Sequence, residues 1–422
     1  MSTVIEVHAD WSEGAPVLLG HLGVHDAGAR EVFDFEFAGE VLADSTLLRY
    51  QLDPELPNTR GRHISATGSL FGVFQDASPD RWGRRLMDRR FARQQGAGRT
   101  NARKLKQSEY LLGVHDAFRQ GALRFRLPGE HHFAESGHPD SAPPWMRLRA
   151  LEAACRQFEL DSGDFGAQPD EQLQLLLAPG ASLGGARPKC GVEDPEGRLF
   201  IAKFPSVNDT HDVGAWEWVV QQLAGQCGIQ VPDAQIRRFA SKHHTYLAQR
   251  FDRTQERRRL HFASAMTLTS HHDGEDASTG VSYLEIAEAI MRFGAQPAAD
   301  LRQLWTRIVF NILVRNTDDH LRNHGFLLEP HRGWRLAPAY DMNPNPVGRE
   351  LRLNITEFDN ACDLQLAYSA APYFRVSAPD ARSIAEQCKT AVQGWRAVAL
   401  EAGLSRQEVE FMASAFERAS AG

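Results

Sequence analysis

Residues 316–326 read NTDDHLRNHGF. Two adjacent acids, two histidines and two asparagines stand between two apolar stretches. On the N-terminal side, DLRQLWTRIVFNILVRN places Leu301, Leu304, Trp305, Ile308, Val309, Ile312 and Leu313 at helical spacing on one face. On the C-terminal side, GFLLE reads as a strand, and GFLLEPHRGWRLAPAYD as a hairpin. The hairpin would bring Asp341 back beside the loop. A helix-to-strand junction so rich in polar groups points to a reaction centre.

Asp318 and Asn323 have the spacing D-x4-N, and Asp341 follows in LAPAYDMNP. Phosphoryl transfer from ATP needs a carboxylate to orient a hydroxyl and accept its proton. It also needs hard oxygen ligands for Mg²⁺ close to that carboxylate. Asp318 suits the first task, and Asn323 and Asp341 the second. Asp319 competes with Asp318 for the base role; the kinase-loop spacing favours Asp318. His320 and His324 offer a rival chemistry, because HxxxH on a helix binds zinc. D-x4-N alone is also common in solvated loops.

A second set lies upstream. GASLGGARPK, residues 180–189, has glycines at 180, 184 and 185 that let backbone amides approach phosphate oxygens. It is neither a Walker A loop nor a GxGxxG fingerprint, and most such loops are plain hairpins. The surrounding segment reads as strand, glycine-rich loop, strand, turn, strand. Lys203 follows in the apolar strand LFIAKFPS, where an ammonium is costly unless paired. Glu217, on the next helix among Trp216, Trp218 and Val219, is its candidate partner. A snorkelling edge lysine and an exposed helix glutamate would look the same.

Composition narrows the class. Of 422 residues, 42% are hydrophobic and 24% charged, which is ordinary globular usage. The formal charge of −7 does not suggest a bulk nucleic-acid binder. Five scattered cysteines contain no CxxC pair, so neither a zinc framework nor a disulfide scaffold is indicated. No signal peptide and no membrane-length apolar run is read, so the expected location is cytoplasmic.

Along the chain, residues 15–50 look β-rich and 80–112 helical. PGEHHFAESGHPDSAPP, residues 128–144, reads as a linker. Short strands are read near QIRRF and TYLAQRF. SYLEIAEAIMRFG opens with a capping box, Ser282 and Glu285. The expected fold is α+β, a protein-kinase-like two-lobed fold with an extra β-rich N-terminal subdomain and a mostly helical C-terminal lobe. The divisions are 1–128, 129–254 (a mixed sheet with the glycine loop) and 255–422.

The order of these pieces, and the blocks SLGGARPK, AKFPS, QRFDR, NTDDHLRNHGF and LAPAYDMNP, resemble the HipA-type serine/threonine kinase toxins. FGVFQDASPDRWGRRLM extends the resemblance into the N-terminal part. The resemblance implies ATP- and Mg²⁺-dependent phosphorylation of a protein. Asp318 would be the base, and Asn323 and Asp341 the metal ligands. Gly184, Gly185, Ala186, Lys189, Lys203 and His320 would contact the nucleotide, and Gln249, Arg250 and Phe251 would form the hinge at adenine. Ser182 would be an autophosphorylation site; a phosphate there would repel ATP. The implied partners are a small helix-turn-helix antitoxin (HipB-like), operator DNA through it, and a protein substrate, which in this family includes aminoacyl-tRNA synthetases. The resemblance implies growth arrest as the outcome. The metal aspartate stands in DMN and not DFG, and D-x-H-x-x-N also resembles lipid-kinase loops. A nucleotide-binding regulator without turnover and a small-molecule or lipid phosphotransferase are the alternatives. Residues 81–106 carry ten basic side chains and one acid: a solvated helix face, or a footprint for nucleic acid or an acidic partner.

Overall fold

The structure, a computed structural model, describes residues 2–28, 30–44, 47–95, 103–136, 143–161, 173, 175–177, 180 and 185–419. The chain divides into two compact units. One comprises Met1–Asp209 with Arg238–Phe262, the other Thr210–Arg237 with Ala263–Gly422.

The first unit holds two antiparallel β systems. A five-stranded sheet runs in the order Arg62–Ile64, Arg30–Phe37, Val17–Ala27, Ser2–Ala9, Leu123–Arg126. Its inner face follows from period-two alternation. Ile5, Val7, Phe33, Phe35 and Phe125 are buried, and Phe74 packs on the rings of Phe35 and Phe125 at 5.3 and 6.0 Å. Residues 128–136 are not a free linker. Ala134 N–H bonds the Phe125 carbonyl at 2.8 Å, and the Phe133 ring lies 3.8 Å beneath the Arg124 guanidinium.

The second system pairs Lys189–Glu193 with Leu199–Lys203, and the latter with Thr245–Gln249. The helix Leu148–Leu160 covers it, burying Leu151, Cys155 and Phe158 against Cys190, Val192, Phe200, Ala202 and Leu247. Trp82 and Leu86, from the helix Arg81–Gln94, complete this core. Residues 173 and 175–177 are helical, and the last of them, Leu177, opens the segment that the sequence reads as strand. Burial of Leu173 and Leu176 in the same core explains the apolar run without a strand. Several arginines of the basic helix are held locally. Arg85 and Arg89 lie over the Phe158 ring at 5.5 and 4.5 Å, and Arg84 over Tyr110 at 4.4 Å.

The second unit is built on the helix Pro297–Val314. Pro297 at its first turn needs no N–H partner. The sequence reads as a one-sided stripe, but the helix is buried nearly all round: Thr306, Arg307, Phe310 and Asn311 are enclosed along with the apolar face. Helices Tyr283–Phe293 and Ala378–Gln393 pack against it. The expected capping box is present, with Glu285 accepting the Ser282 N–H at 2.9 Å. The hairpin Gly325–Glu329 and Gly333–Leu336 pairs Phe326 with Leu336. Asp300, at the helix start, grips it by accepting from Arg335 Nε at 3.0 Å and Leu336 N–H at 3.2 Å. Among the described residues no helix is long and apolar enough to cross a membrane.

Candidate functional site

The core helix ends at Arg315, whose φ of 47° is left-handed. Arg315 and Asn316 both return their N–H to the Asn311 carbonyl, which closes the helix and turns the chain into the polar loop. The loop ends in one 3₁₀ turn, Leu321–Asn323.

Asp318 and Asp319 are adjacent and opposite in character. The Asp318 side chain is 78% exposed, and its Oδ1 accepts from Arg352 Nε at 3.3 Å. Asp319 is 4% exposed. Its Oδ2 accepts from Tyr283 Oη at 2.6 Å and Asn311 Nδ2 at 2.9 Å, and meets His324 Nε2 at 2.8 Å. Burial works to raise the Asp319 pKa, but the charge and hydrogen bond of His324 and the Tyr283 hydroxyl outweigh it, so the carboxyl is held below its usual range. Asp319 is therefore a buried anchor, and Asp318 is the carboxylate that solvent or substrate can reach. The rival zinc reading fails on the same geometry. His324 stands at the end of a three-residue turn with its Nε2 turned to Asp319, so His320 and His324 do not form a helical i, i+4 pair.

Asn323 donates Nδ2 to the Asp318 carbonyl at 3.2 Å. That bond engages the amide through its nitrogen and not its oxygen. Asp341 has φ 58°, a left-handed conformation unusual for a side-chain-bearing residue and costing on the order of 1 kcal/mol. The segment around it is fastened to the loop on both sides. Tyr340 Oη donates to the Arg322 carbonyl at 2.5 Å. Asn343 N–H donates to Asn316 Oδ1 at 3.1 Å, and Asn345 Nδ2 to Thr317 Oγ1 at 2.8 Å. Asp341 thus sits between fastenings that run from Asn316 to Arg322, the stretch containing Asp318.

Among the described residues no group of three or more His, Cys, Asp or Glu is placed to hold a metal ion. One carboxylate with one amide oxygen suits Mg²⁺, which binds through one or two protein oxygens and completes its shell with phosphates and water.

The first unit carries the cationic set. The strand register places Lys189 directly opposite Lys203. Like charges directly opposite each other are unfavourable unless compensated. Lys189 is buried, and its Nζ lies 2.4 Å from where a Cβ on Gly185 would stand, so the glycine at φ 96° makes room for the ammonium. Trp82 fastens this corner, donating Nε1 to the Lys189 carbonyl at 3.0 Å and its N–H to the Gly185 carbonyl at 3.2 Å. Lys203 Nζ is 5.7 Å from the Tyr246 ring. Ala186 follows on the described part of the loop; Ser182 and Gly184 lie outside the described residues. Glu217 is buried on the helix Val213–Gln226 of the second unit.

At the expected hinge, the Arg250 guanidinium is committed locally. It donates to both Asp252 oxygens, at 2.9 and 2.7 Å, and to the Phe118 carbonyl at 2.7 Å. Its N–H bonds the Leu199 carbonyl at 2.8 Å. Arg250 is thus a structural tie as far as its side chain and amide are concerned. Gln249 closes its strand opposite Phe200, and the Phe251 ring lies 6.4 Å from Phe262.

Sequence reasoning missed four polar residues. Tyr283 and Asn311 hold Asp319, while Asp276 and Arg352 form a chain to Asp318 through a 2.9 Å contact. Asn311 alone left a sequence signal, as an amide inside an otherwise apolar helix.

The fold is the α+β, kinase-like fold of the HipA type. The structure matches a chain of the Shewanella oneidensis MR-1 toxin–antitoxin complex of HipA, HipB and operator DNA. The TM-score is 0.68 at 17% identity, covering 98% of this chain and 95% of that one. The family model described as the HipA-like C-terminal domain matches residues 181–395, more than half of the sequence, and the chain belongs to that family. Two relatives share 29% and 28% identity over 151 and 150 residues. They are a Haemophilus influenzae protein named "Putative kinase" and a Sinorhizobium fredii protein named "Putative kinase Y4mE". Each match covers 34% of this chain, and the chain spans less than half the length of either relative, 44% and 33%.

Proposed function

We propose that this chain is an ATP- and Mg²⁺-dependent serine/threonine protein kinase acting as the toxin of a toxin–antitoxin pair. The observation that carries the reading is the fastening of residues 340–345 onto 315–322, which sets Asp341 beside the loop of Asp318 and Asn323.

Asp318 orients the acceptor hydroxyl and takes its proton. Its exposure suits a group that must meet a substrate, and the D-x4-N spacing is that of a kinase loop. Asn323 and Asp341 would hold Mg²⁺, which would supply positive charge to the phosphates. Lys189 and Lys203 bind phosphate oxygens beside Gly185 and Ala186. Gln249 and Phe251 meet adenine, with Arg250 contributing its carbonyl, and His320 is a further nucleotide-contacting residue. Ser182 is the site of self-modification. The HipA–HipB–DNA complex supports a small helix-turn-helix antitoxin and, through it, operator DNA as partners. The substrate is a cytoplasmic protein, with aminoacyl-tRNA synthetases as the first class to examine.

The test is quantitative phosphoproteomics after brief induction, wild type against Asp318→Ala. New phosphoserine or phosphothreonine confined to the wild type supports the reading. Identical phosphoproteomes, with both proteins expressed and folded, overturn it.

A further inference from the structure

Asp318 does not stand alone in solvent. Its Oδ1 meets Arg352 Nε at 3.3 Å, and Arg352 Nη1 reaches Asp276 Oδ2 at 2.9 Å. Asp276 is itself fixed, because its Oδ1 accepts from the Ser278 N–H at 2.9 Å and the Ser278 hydroxyl at 2.6 Å. The backbone under Arg352 is equally tied. Its carbonyl accepts from Ala277 N–H at 2.7 Å, and two residues on, Asn354 exchanges main-chain bonds with Val281 and Tyr283, both at 2.9 Å. The same segment presses on the polar loop at Gly348, where a Cβ would lie 2.5 Å from Thr317 Oγ1.

An exposed ion pair of this kind adds little to folding. Its effect falls instead on orientation. A carboxylate on a solvent-facing loop rotates freely unless one oxygen is held. A guanidinium is planar and donates in a fixed fork, so it can bridge two carboxylates in one defined geometry. Holding Oδ1 presents Oδ2 to an acceptor hydroxyl, and small misplacements of such a group are costly in rate.

We propose that Arg352 is a positioning residue for Asp318, anchored in turn by Asp276. The proposal rests on the kinase reading above and deepens it. A residue 34 positions beyond the base, outside every recognised motif, completes the transfer centre.

The experiment is single-turnover transfer from labelled ATP with Mg²⁺, using the full chain and its own phosphorylation or that of a lysate protein. ATP affinity and thermal melting are measured in parallel. Arg352→Gln is expected to slow transfer roughly ten- to a hundredfold, with ATP affinity within about twofold of wild type and melting unchanged. Arg352→Lys should recover little, because an ammonium cannot bridge both acids in one plane. Guanidinium ion, added below denaturing concentrations, should restore part of the Arg352→Gln rate; a merely structural defect would not respond. Asp276→Asn should slow transfer less, and the double variant should be no slower than Arg352→Gln alone. A wild type that transfers phosphate while Arg352→Gln matches or exceeds it would overturn this proposal and leave the kinase reading intact. A wild type that binds ATP and transfers nothing would overturn both.

Discussion

Adjacent aspartates with opposite fates provide the sharpest stability test. Replace Asp319 with Ala, and separately Asp318 with Ala. Asp319→Ala removes the acceptor of three donors, from Tyr283, Asn311 and His324, all buried. Each donor left without a partner costs about 1–3 kcal/mol, and such losses are not additive within one network. Breaking a buried charged pair costs about 3–5 kcal/mol overall, and that range is the expectation here. At roughly 2–4 °C per kcal/mol for a unit of this size, melting should fall by about 6–20 °C. Asp318→Ala removes one exposed pair at 3.3 Å, and stability should stay within about 0.5 kcal/mol. The assay is urea and thermal unfolding of the full chain, followed by tryptophan fluorescence, with phosphate transfer measured on the same preparations. Asp318→Ala should be stable and inactive, and Asp319→Ala destabilised. Equal stability of the two variants would refute the division of roles.

Three further outcomes follow from single residues. Asp341→Gly should be more stable than Asp341→Ala, by up to about 1 kcal/mol, because glycine adopts a left-handed φ without strain; both should abolish transfer, and a glycine variant no more stable than the alanine one would show that the φ of 58° is not strained. Asp53 is buried, and desolvation, opposed by the Val73 and Glu55 amides, raises its carboxyl to about 6 from 3.8. The folded form therefore favours the protonated acid, so this contribution is full below pH 3.8 and lost as pH climbs through about 6, a change of roughly 3 kcal/mol; Asp53→Asn should flatten that part of the stability–pH curve. Burial would lower the pKa of His271, but its contacts with Glu285 at 2.8 Å and Glu275 at 2.9 Å raise it above 6.5 on balance. Its stabilisation is complete below pH 6.5 and lost as pH rises through the higher folded value, so His271→Gln should remove an alkaline decline seen in the wild type.

What could be read in the sequence follows a physical divide. The helix Pro297–Val314, the capping box at Ser282 and the hairpin after Gly325 are local, and their signals, spacing and caps, lie within a few residues of each other. The α+β kinase-like class followed from their order. The choice between Asp318 and Asp319 was only a matter of spacing in the sequence; burial separates them, and burial depends on Tyr283 and Asn311, which lie elsewhere in the chain. Arg352 and Asp276 were invisible for the same reason: 76 positions separate them, and neither belongs to a motif. The strand read at the start of LAPGASLGG misled because a short buried helix and a short buried strand have the same composition; Leu177, its first residue, is helical. Residues 128–136 of the expected linker misled because Pro and Gly mark irregular backbone, which here packs on a sheet edge through Phe133 and Ala134, while 137–142 lie outside the described residues.

The proposed function requires Asp318 to act as base beside a Mg²⁺–ATP complex held by Asn323 and Asp341. The most direct measurement is transfer of the γ-phosphoryl label from ATP by purified protein, with and without Mg²⁺, for wild type, Asp318→Ala and Asp341→Asn. Mg²⁺-dependent labelling is expected of the wild type and none of either variant, although both remain folded. Labelling by Asp318→Ala at the wild-type rate, or labelling indifferent to Mg²⁺, would contradict the proposed function.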